Sequence, residues 1–223
     1  MSKEYGVFDI LGPVMIGPSS SHTAGAAKLG RIAQKIAGDN IKKVTFYLHG
    51  SFAKTYKGHG TDKALLAGVL KMEPQDEHLK NSFDIAAREG LEYEFIETDL
   101  GDVHPNTVKF KFDLYNGKVM TVTGSSIGGG SILITEVDGE SVELTGEYPA
   151  IITKHKDKPG IITAVSSVLS NLEVNIAFMK VFRKRRGQTA SMVVETDGII
   201  PKDAINYISK IEGIEDVKVI NPI

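Results

Sequence analysis

From Ala24 to Ala37 the apolar residues Ala26, Leu29, Ile32, Ala33 and Ile36 recur at spacings of three and four, and Gly38-Asp39-Asn40 follows. That period predicts an amphipathic helix with a glycine stop. A short apolar segment, Val7 to Ile16, precedes it. Val44 to Leu48 alternates and predicts a strand. Lys63 to Leu70 and Phe83 to Glu89 predict helices, separated from the strand by the polar loop Lys57-Gly58-His59-Gly60-Thr61-Asp62, and Leu91 to Ile96 predicts a further strand. Val108 to Leu114 and Val119 to Val122 alternate on either side of Tyr115-Asn116-Gly117-Lys118, and Asn-Gly in that setting is a hairpin signal. A loop over 124–131 then leads to a second hairpin, Ile132 to Val137 and Ser141 to Leu144, turning at Asp138-Gly139.

The pattern changes after the linker-like Thr145-Gly146-Glu147-Tyr148-Pro149. Ala150 to His155 reads as a strand and Asp157-Lys158-Pro159-Gly160 as a turn. Ile161 to Leu172 reads as a helix with Ile162, Val165, Val168 and Leu169 on one face. Strands over Val174 to Phe182 and Gln188 to Glu195 flank the basic turn Arg183-Lys184-Arg185-Arg186-Gly187. A helix from Pro201 to Ile211 and a strand from Ile214 to Ile220 complete the chain. The order β-α-β-β-α-β is the split βαβ arrangement of ferredoxin-like domains. The expected fold class is therefore α+β, with domains over 1–146 and 148–223.

Composition narrows the function classes. A chain of 223 residues, 41% hydrophobic and 24% charged, is long enough for two modest soluble domains. A net charge of −2 offers no electrostatic case for nucleic acid or an anionic membrane surface. No run approaches the roughly 20 apolar residues of a membrane span, and the N-terminus shows no signal peptide. The chain has no cysteine. That excludes disulfides, thiol nucleophiles and an iron–sulfur or thiolate metal site held by this chain itself, and fits a cytoplasmic setting.

Candidate chemistry concentrates in polar loops. Gly17-Pro18-Ser19-Ser20-Ser21-His22-Thr23 sets hydroxyls and an imidazole just before the first helix. With the free N–H groups of a helix N-terminus, such a stretch suits a carboxylate or phosphate; one serine would suffice if it were only an N-cap. His22, His59 and His104 stand beside Gly, Pro, Ser, Thr or Asn rather than in apolar runs, and histidine titrates near neutrality. His49, His78 and His155 lack that context and read as structural. No histidine spacing matches a metal motif, so no metal ligands are expected. Gly128-Gly129-Gly130 either lets backbone approach a ligand or makes a turn between strands; it opens a strand rather than a helix, unlike a dinucleotide fingerprint.

Four motifs occur in order: Gly17-Pro18-Ser19-Ser20-Ser21-His22-Thr23, Lys57-Gly58-His59-Gly60-Thr61-Asp62-Lys63, His104-Pro105-Asn106 and Gly124-Ser125-Ser126-Ile127-Gly128-Gly129-Gly130. Together they resemble the β chain of the iron–sulfur-dependent bacterial L-serine dehydratases, and the C-terminal part resembles an ACT domain, an amino-acid-sensing module. The N-terminal part is also similar to the allosteric substrate-binding domain of some phosphoglycerate dehydrogenases. The resemblance implies a two-chain enzyme in which an α chain holds a [4Fe–4S] cluster and L-serine yields pyruvate and ammonia. It implies a catalytic role for His59, His22 and His104. Substrate contacts would come from Ser19, Ser20, Ser21, Thr23, Asp62, Asn106, Gly128, Gly129 and Gly130. Asp157, Gly160 and Asn175 would serve a regulatory ligand in the ACT domain, through which the chain is expected to pair as a homodimer. Whether the Ser/His loops belong to an active site or to a regulatory serine site is left open by the residues alone.

Overall fold

The structure, a computed structural model, describes residues 19–221. The apolar segment over 7–16 and Gly17-Pro18 lie outside them. Contacts group the chain into two compact units, 1–134 and 135–223.

The first unit opens with a single π-helical turn, Ser20–Ala24, which continues directly into α1, Gly25–Ala37. Strand β1 (Ile41–Leu48) leads into α2 (Gly50–His59) and α3 (Thr61–Val69). A 3₁₀ turn, Glu77–Asn81, precedes α4 (Ser82–Glu89). Strands β2 (Glu92–Glu97), β3 (Thr107–Leu114) and β4 (Val119–Gly128) follow; β5 (Ser131–Val137) runs across the division, and β6 (Glu140–Leu144) falls after it. The sheet order is β2-β1-β3-β4-β5-β6, with β1 parallel to β2 and antiparallel to β3.

The predicted hairpin forms in the register Phe110↔Val122. Gly117 sits at φ 79° and the Asn116 side chain accepts the Lys118 N–H at 3.0 Å. Period-two burial puts Val44, Phe46, Leu48, Val108, Phe110, Phe112 and Val122 in the core. Helix α1 brings its expected apolar face, Ala26, Leu29, Ile32, Ala33 and Ile36, onto that layer. It packs closely against α3, where Gly30 and Gly68 leave no room for a Cβ: one on Gly68 would lie 2.1 Å from the Ala27 carbonyl oxygen. Asp39 just beyond the C-terminus of α1 pairs with Lys71 just beyond that of α3 at 2.8 Å, so the two helices run the same way and start at the same end.

Two predicted loops are regular structure. Lys57, Gly58 and His59 form the last turn of α2, and Gly60 in the left-handed region (φ 67°) separates it from α3. Burial of Phe52 and Tyr56 on α2 outweighs the cost of about 1 kcal/mol for a glycine in a helix. Likewise residues 124–128 extend β4, and only Gly129 and Gly130 turn. Gly124 is in the strand because α1 presses there: a Cβ would stand 2.8 Å from Cδ2 of Leu29.

After β6 the second unit continues as β7 (Ala150–Lys156), α5 (Ile161–Asn171), β8 (Ile176–Arg183), β9 (Thr189–Thr196), α6 (Asp203–Ser209), β10 (Ile214–Ile220). Its sheet, β10-β7-β9-β8, is antiparallel throughout. Ile151, Met192 and Val194 meet Val165 and Leu169 of α5 and Ala204 and Ile208 of α6 in one core. This is the expected split βαβ topology. Among the described residues, no helix is long and apolar enough to cross a membrane.

Candidate functional site

The Ser-rich stretch is the start of α1. Ser19 is its N-cap in extended conformation; its hydroxyl accepts the His22 N–H at 3.2 Å and its carbonyl accepts the Thr23 N–H at 2.9 Å. The wide turn closes when the Gly25 N–H donates to Ser20 O. Such π turns are rare and concentrate at functional sites. The Ser20 and Ser21 N–H groups precede any intrahelical acceptor, and the helix dipole adds partial positive charge where they point. The neighbouring α3 starts at the same end, so two helix N-termini lie side by side.

The end of β1 supplies the facing wall. The chain turns at His49-Gly50-Ser51 into α2, and Ser51 Oγ lies 3.2 Å from Nε2 of His22. Ser19 Oγ lies 3.5 Å from Nδ1 of the same ring. His22 is thus bracketed by two hydroxyls. Phe52 stands edge-on to it at 5.3 Å between ring centroids, and His59 stands perpendicular at 4.9 Å. Burial and then the charge of His59 hold His22 below the ordinary histidine value. His59 is exposed on the last turn of α2. The pair therefore combines a ring whose charged form is disfavoured with a ring open to solvent.

The floor is polar at depth. Thr107 and Ser125, cross-strand partners on β3 and β4, share a hydrogen bond of 2.7 Å between buried hydroxyls. Ser126 is fully buried, and a Cβ on Gly25 would fall 2.1 Å from its Oγ, so only glycine lets α1 sit on β4 there. The hydroxyls of Thr23 in the π turn, Thr61 at the start of α3, and Ser126 are buried without a partner among the described residues. Polar groups so placed are uncommon in a packed interior.

The structure joins Ser19, His22, Thr23 and His59, with Ser20 and Ser21 on the same turn. His104 is exposed; its Nδ1 accepts the Asn106 N–H at 3.1 Å, and it adjoins the cluster only through Pro105, whose carbonyl accepts the Ser51 N–H at 2.8 Å. Asn106 O accepts the Ser126 N–H at 3.0 Å. Asp62 is buried and its carboxylate turns back to the Lys63 N–H at 2.8 Å, with burial raising its pKa. Gly128, Gly129 and Gly130 all have positive φ, and no atom crowds a Cβ placed on Gly128 or Gly129, which is turn geometry.

In the second unit the Asp157 carboxylate accepts the Gly187 N–H at 2.8 Å and the Arg183 guanidinium at 3.0 Å, and Gly160 caps α5 at φ 92°. Asn175 precedes β8 rather than lying on it, and donates to Asp197 beyond the far end of β9. One copy therefore holds Asn175 at the opposite end of the sheet from Asp157 and Gly160. Among the described residues no three His, Asp or Glu side chains converge as metal ligands do.

Ser51 lies outside the four sequence motifs, and His49 lacks the polar loop context of His22, His59 and His104. The available signal was His-Gly-Ser at a strand-to-helix junction, where polar side chains gather at sheet ends. His49 accepts the Leu100 N–H on Nδ1 at 3.1 Å and stands 3.5 Å from the Asp99 carboxylate.

Residues 6–137 match the serine dehydratase beta chain family and residues 150–213 the ACT domain family. The chain is 45% identical over 215 residues to the "Probable L-serine dehydratase, beta chain" of Bacillus subtilis, covering 96% of this chain and 97% of that protein. It is 42% identical over 216 residues to the "L-serine dehydratase, beta chain" of Peptoniphilus asaccharolyticus, with the same coverage. It is also 29% identical over 194 residues to the D-3-phosphoglycerate dehydrogenase of Synechocystis, but that match spans only 34% of the longer protein. With its Ser-rich π turn, its facing histidines and its end-to-end match to these β chains, the chain belongs to the serine dehydratase beta chain family.

Proposed function

We propose that this chain is the β chain of a cytoplasmic L-serine dehydratase and works with a separate α chain to convert L-serine to pyruvate and ammonia. Family membership supports the reaction class; the observation that carries a role for this chain is the His22–His59 pair at the N-terminus of α1. Loss of water from serine needs a base for the Cα proton and donors for the carboxylate. His59, exposed and beside a ring that stays neutral, takes the proton. The Ser20 and Ser21 hydroxyls, with the first N–H groups of the turn, hold the carboxylate. His22 keeps the turn in register between Ser19 and Ser51.

An iron–sulfur cluster does not fit this chain: it has no cysteine, and its described His, Asp and Glu side chains form no ligand group. The cluster implied by the resemblance belongs on the α chain, and no step here runs through it.

A second reading, a regulatory subunit that binds an amino acid without catalysing, is favoured by the phosphoglycerate dehydrogenase relatives, in which the matched region is about a third of a protein of different activity. Reconstitution separates the two. Neither chain alone should release pyruvate from L-serine, and the mixture should. His59→Ala should then lower kcat by about a hundredfold or more, the usual scale for a general base. A variant with full kcat and an altered activation constant would establish the regulatory reading instead.

A further inference from the structure

Ser51 belongs to none of the motifs read from the sequence, yet the fold constrains it from several sides. Its N–H donates to Pro105 O at 2.8 Å, and the His49 N–H donates to Thr107 O at 3.0 Å. Leu100 N–H donates to Nδ1 of His49 at 3.1 Å. Between them Gly50 adopts φ 57°, and a Cβ there would lie 2.6 Å from Pro105 O. The end of β1 is clamped against the approach to β3, and the clamp delivers the Ser51 hydroxyl to 3.2 Å from Nε2 of His22. That hydroxyl has no other hydrogen-bond partner among the described residues.

We propose that Ser51 is a positioning residue: its hydroxyl donates to Nε2 of His22, keeps that ring neutral with its proton on Nδ1, and so leaves His59 as the member of the pair that exchanges protons. This rests on the reading of the π turn as the substrate-facing part of a dehydratase.

A neutral imidazole offers one donor and one acceptor, and a hydroxyl on each side satisfies both. A hydrogen bond donated to the neutral ring favours that form over the cation. The groups on the elements packed around His22 work in the same direction. From α2 come His59 and the apolar edge of Phe52. On α3, Asp62 is turned to its own backbone at Lys63. Strand β4 offers the hydroxyls of Ser125 and Ser126, and the approach to β3 carries His104, whose Nδ1 is occupied by the Asn106 N–H. Among the described residues no carboxylate pairs with His22 to draw a proton onto it. Two imidazoles this close cannot both be charged cheaply, and the less exposed one stays neutral.

The test is histidine ring titration by NMR on the full chain without its partner. In the parent the His22 midpoint should lie below the ordinary histidine value. Ser51→Ala should raise the His22 midpoint by about half a pH unit or more and lower that of His59, because a donor to the neutral form is lost and repulsion grows. Ser51→Thr, which keeps the hydroxyl, should titrate as the parent does. His22→Asn should leave the His59 midpoint where it was, since a neutral neighbour exerts no charge. In the reconstituted enzyme the acid limb of kcat, which reports protonation of the base His59, should move to lower pH with Ser51→Ala while KM for L-serine holds. A folded Ser51→Ala chain with both midpoints unchanged overturns the proposal. So does a folded Ser51→Thr chain that titrates like the alanine variant. A rise in the His59 midpoint on His22→Asn shows a shared proton, which also overturns it and needs no folded Ser51 variant. The titrations need no turnover, so inactivity with an α chain would count against the dehydratase reading alone.

Discussion

His22, half-buried, and His155, buried, sit where the charged form of the ring is disfavoured. Burial dominates the lowered pKa of both; Asp157 and Glu215 only partly oppose it at His155, while His59 adds to it at His22. In the unfolded chain each titrates near the ordinary value of about 6.5. Below that pH the unfolded state binds more protons than the folded one, so stability falls as pH drops. The midpoint of urea unfolding should be flat above about pH 7 and decline from about pH 6.5 downward. His22→Asn should make that decline shallower; an equal slope in parent and variant would remove His22 from the account. At this scale the sequence was informative about His22 and His59, whose neighbours are polar and glycine-rich. It was silent about Ser51, because the partner that gives that hydroxyl its meaning is 29 positions away and reaches it only through tertiary packing.

Among the elements, the amphipathic stripe of α1 and the Asn-Gly hairpin were legible because local period and turn chemistry determine them. The misread segments were rich in glycine. Gly58, Gly60 and Gly124 look like loop residues in a linear reading, yet Gly124 sits in a strand because α1 crosses it at close range. Small residues that serve close packing cannot be told from turn residues without the partner element. The N-terminal turn of α1 yields its own prediction. Ser20→Ala with Ser21→Ala removes two donors from the proposed carboxylate site, at roughly 1.5–3 kcal/mol per hydrogen bond to a charged group. KM or the activation constant for L-serine should rise by tenfold or more in the reconstituted enzyme, at that energy scale. Far-UV circular dichroism should not change, because Ser19 still caps the helix. An unaltered serine dependence would leave these residues a structural role only.

At the scale of the whole molecule, β8 ends its sheet, and Phe178 and Val181 on it are 56% and 41% exposed. An edge strand with exposed apolar side chains invites a second copy. The full chain should sediment as a dimer at micromolar concentration, and Val181→Lys should shift it toward monomer. An unchanged sedimentation coefficient would send the search for an interface elsewhere. The buried hydroxyls under the π turn have a consequence for thermal tolerance. An unpartnered buried hydroxyl costs about 1–3 kcal/mol, and an apolar group of the same shape avoids that cost. Thr61→Val should therefore raise the melting temperature, by about 2–4 °C per kcal/mol in a chain of this length, while turnover with the α chain falls. A variant that gains stability and loses turnover would mean that the proposed site holds the sequence below its own stability optimum; one that gains stability at full turnover would make Thr61 a packing residue only.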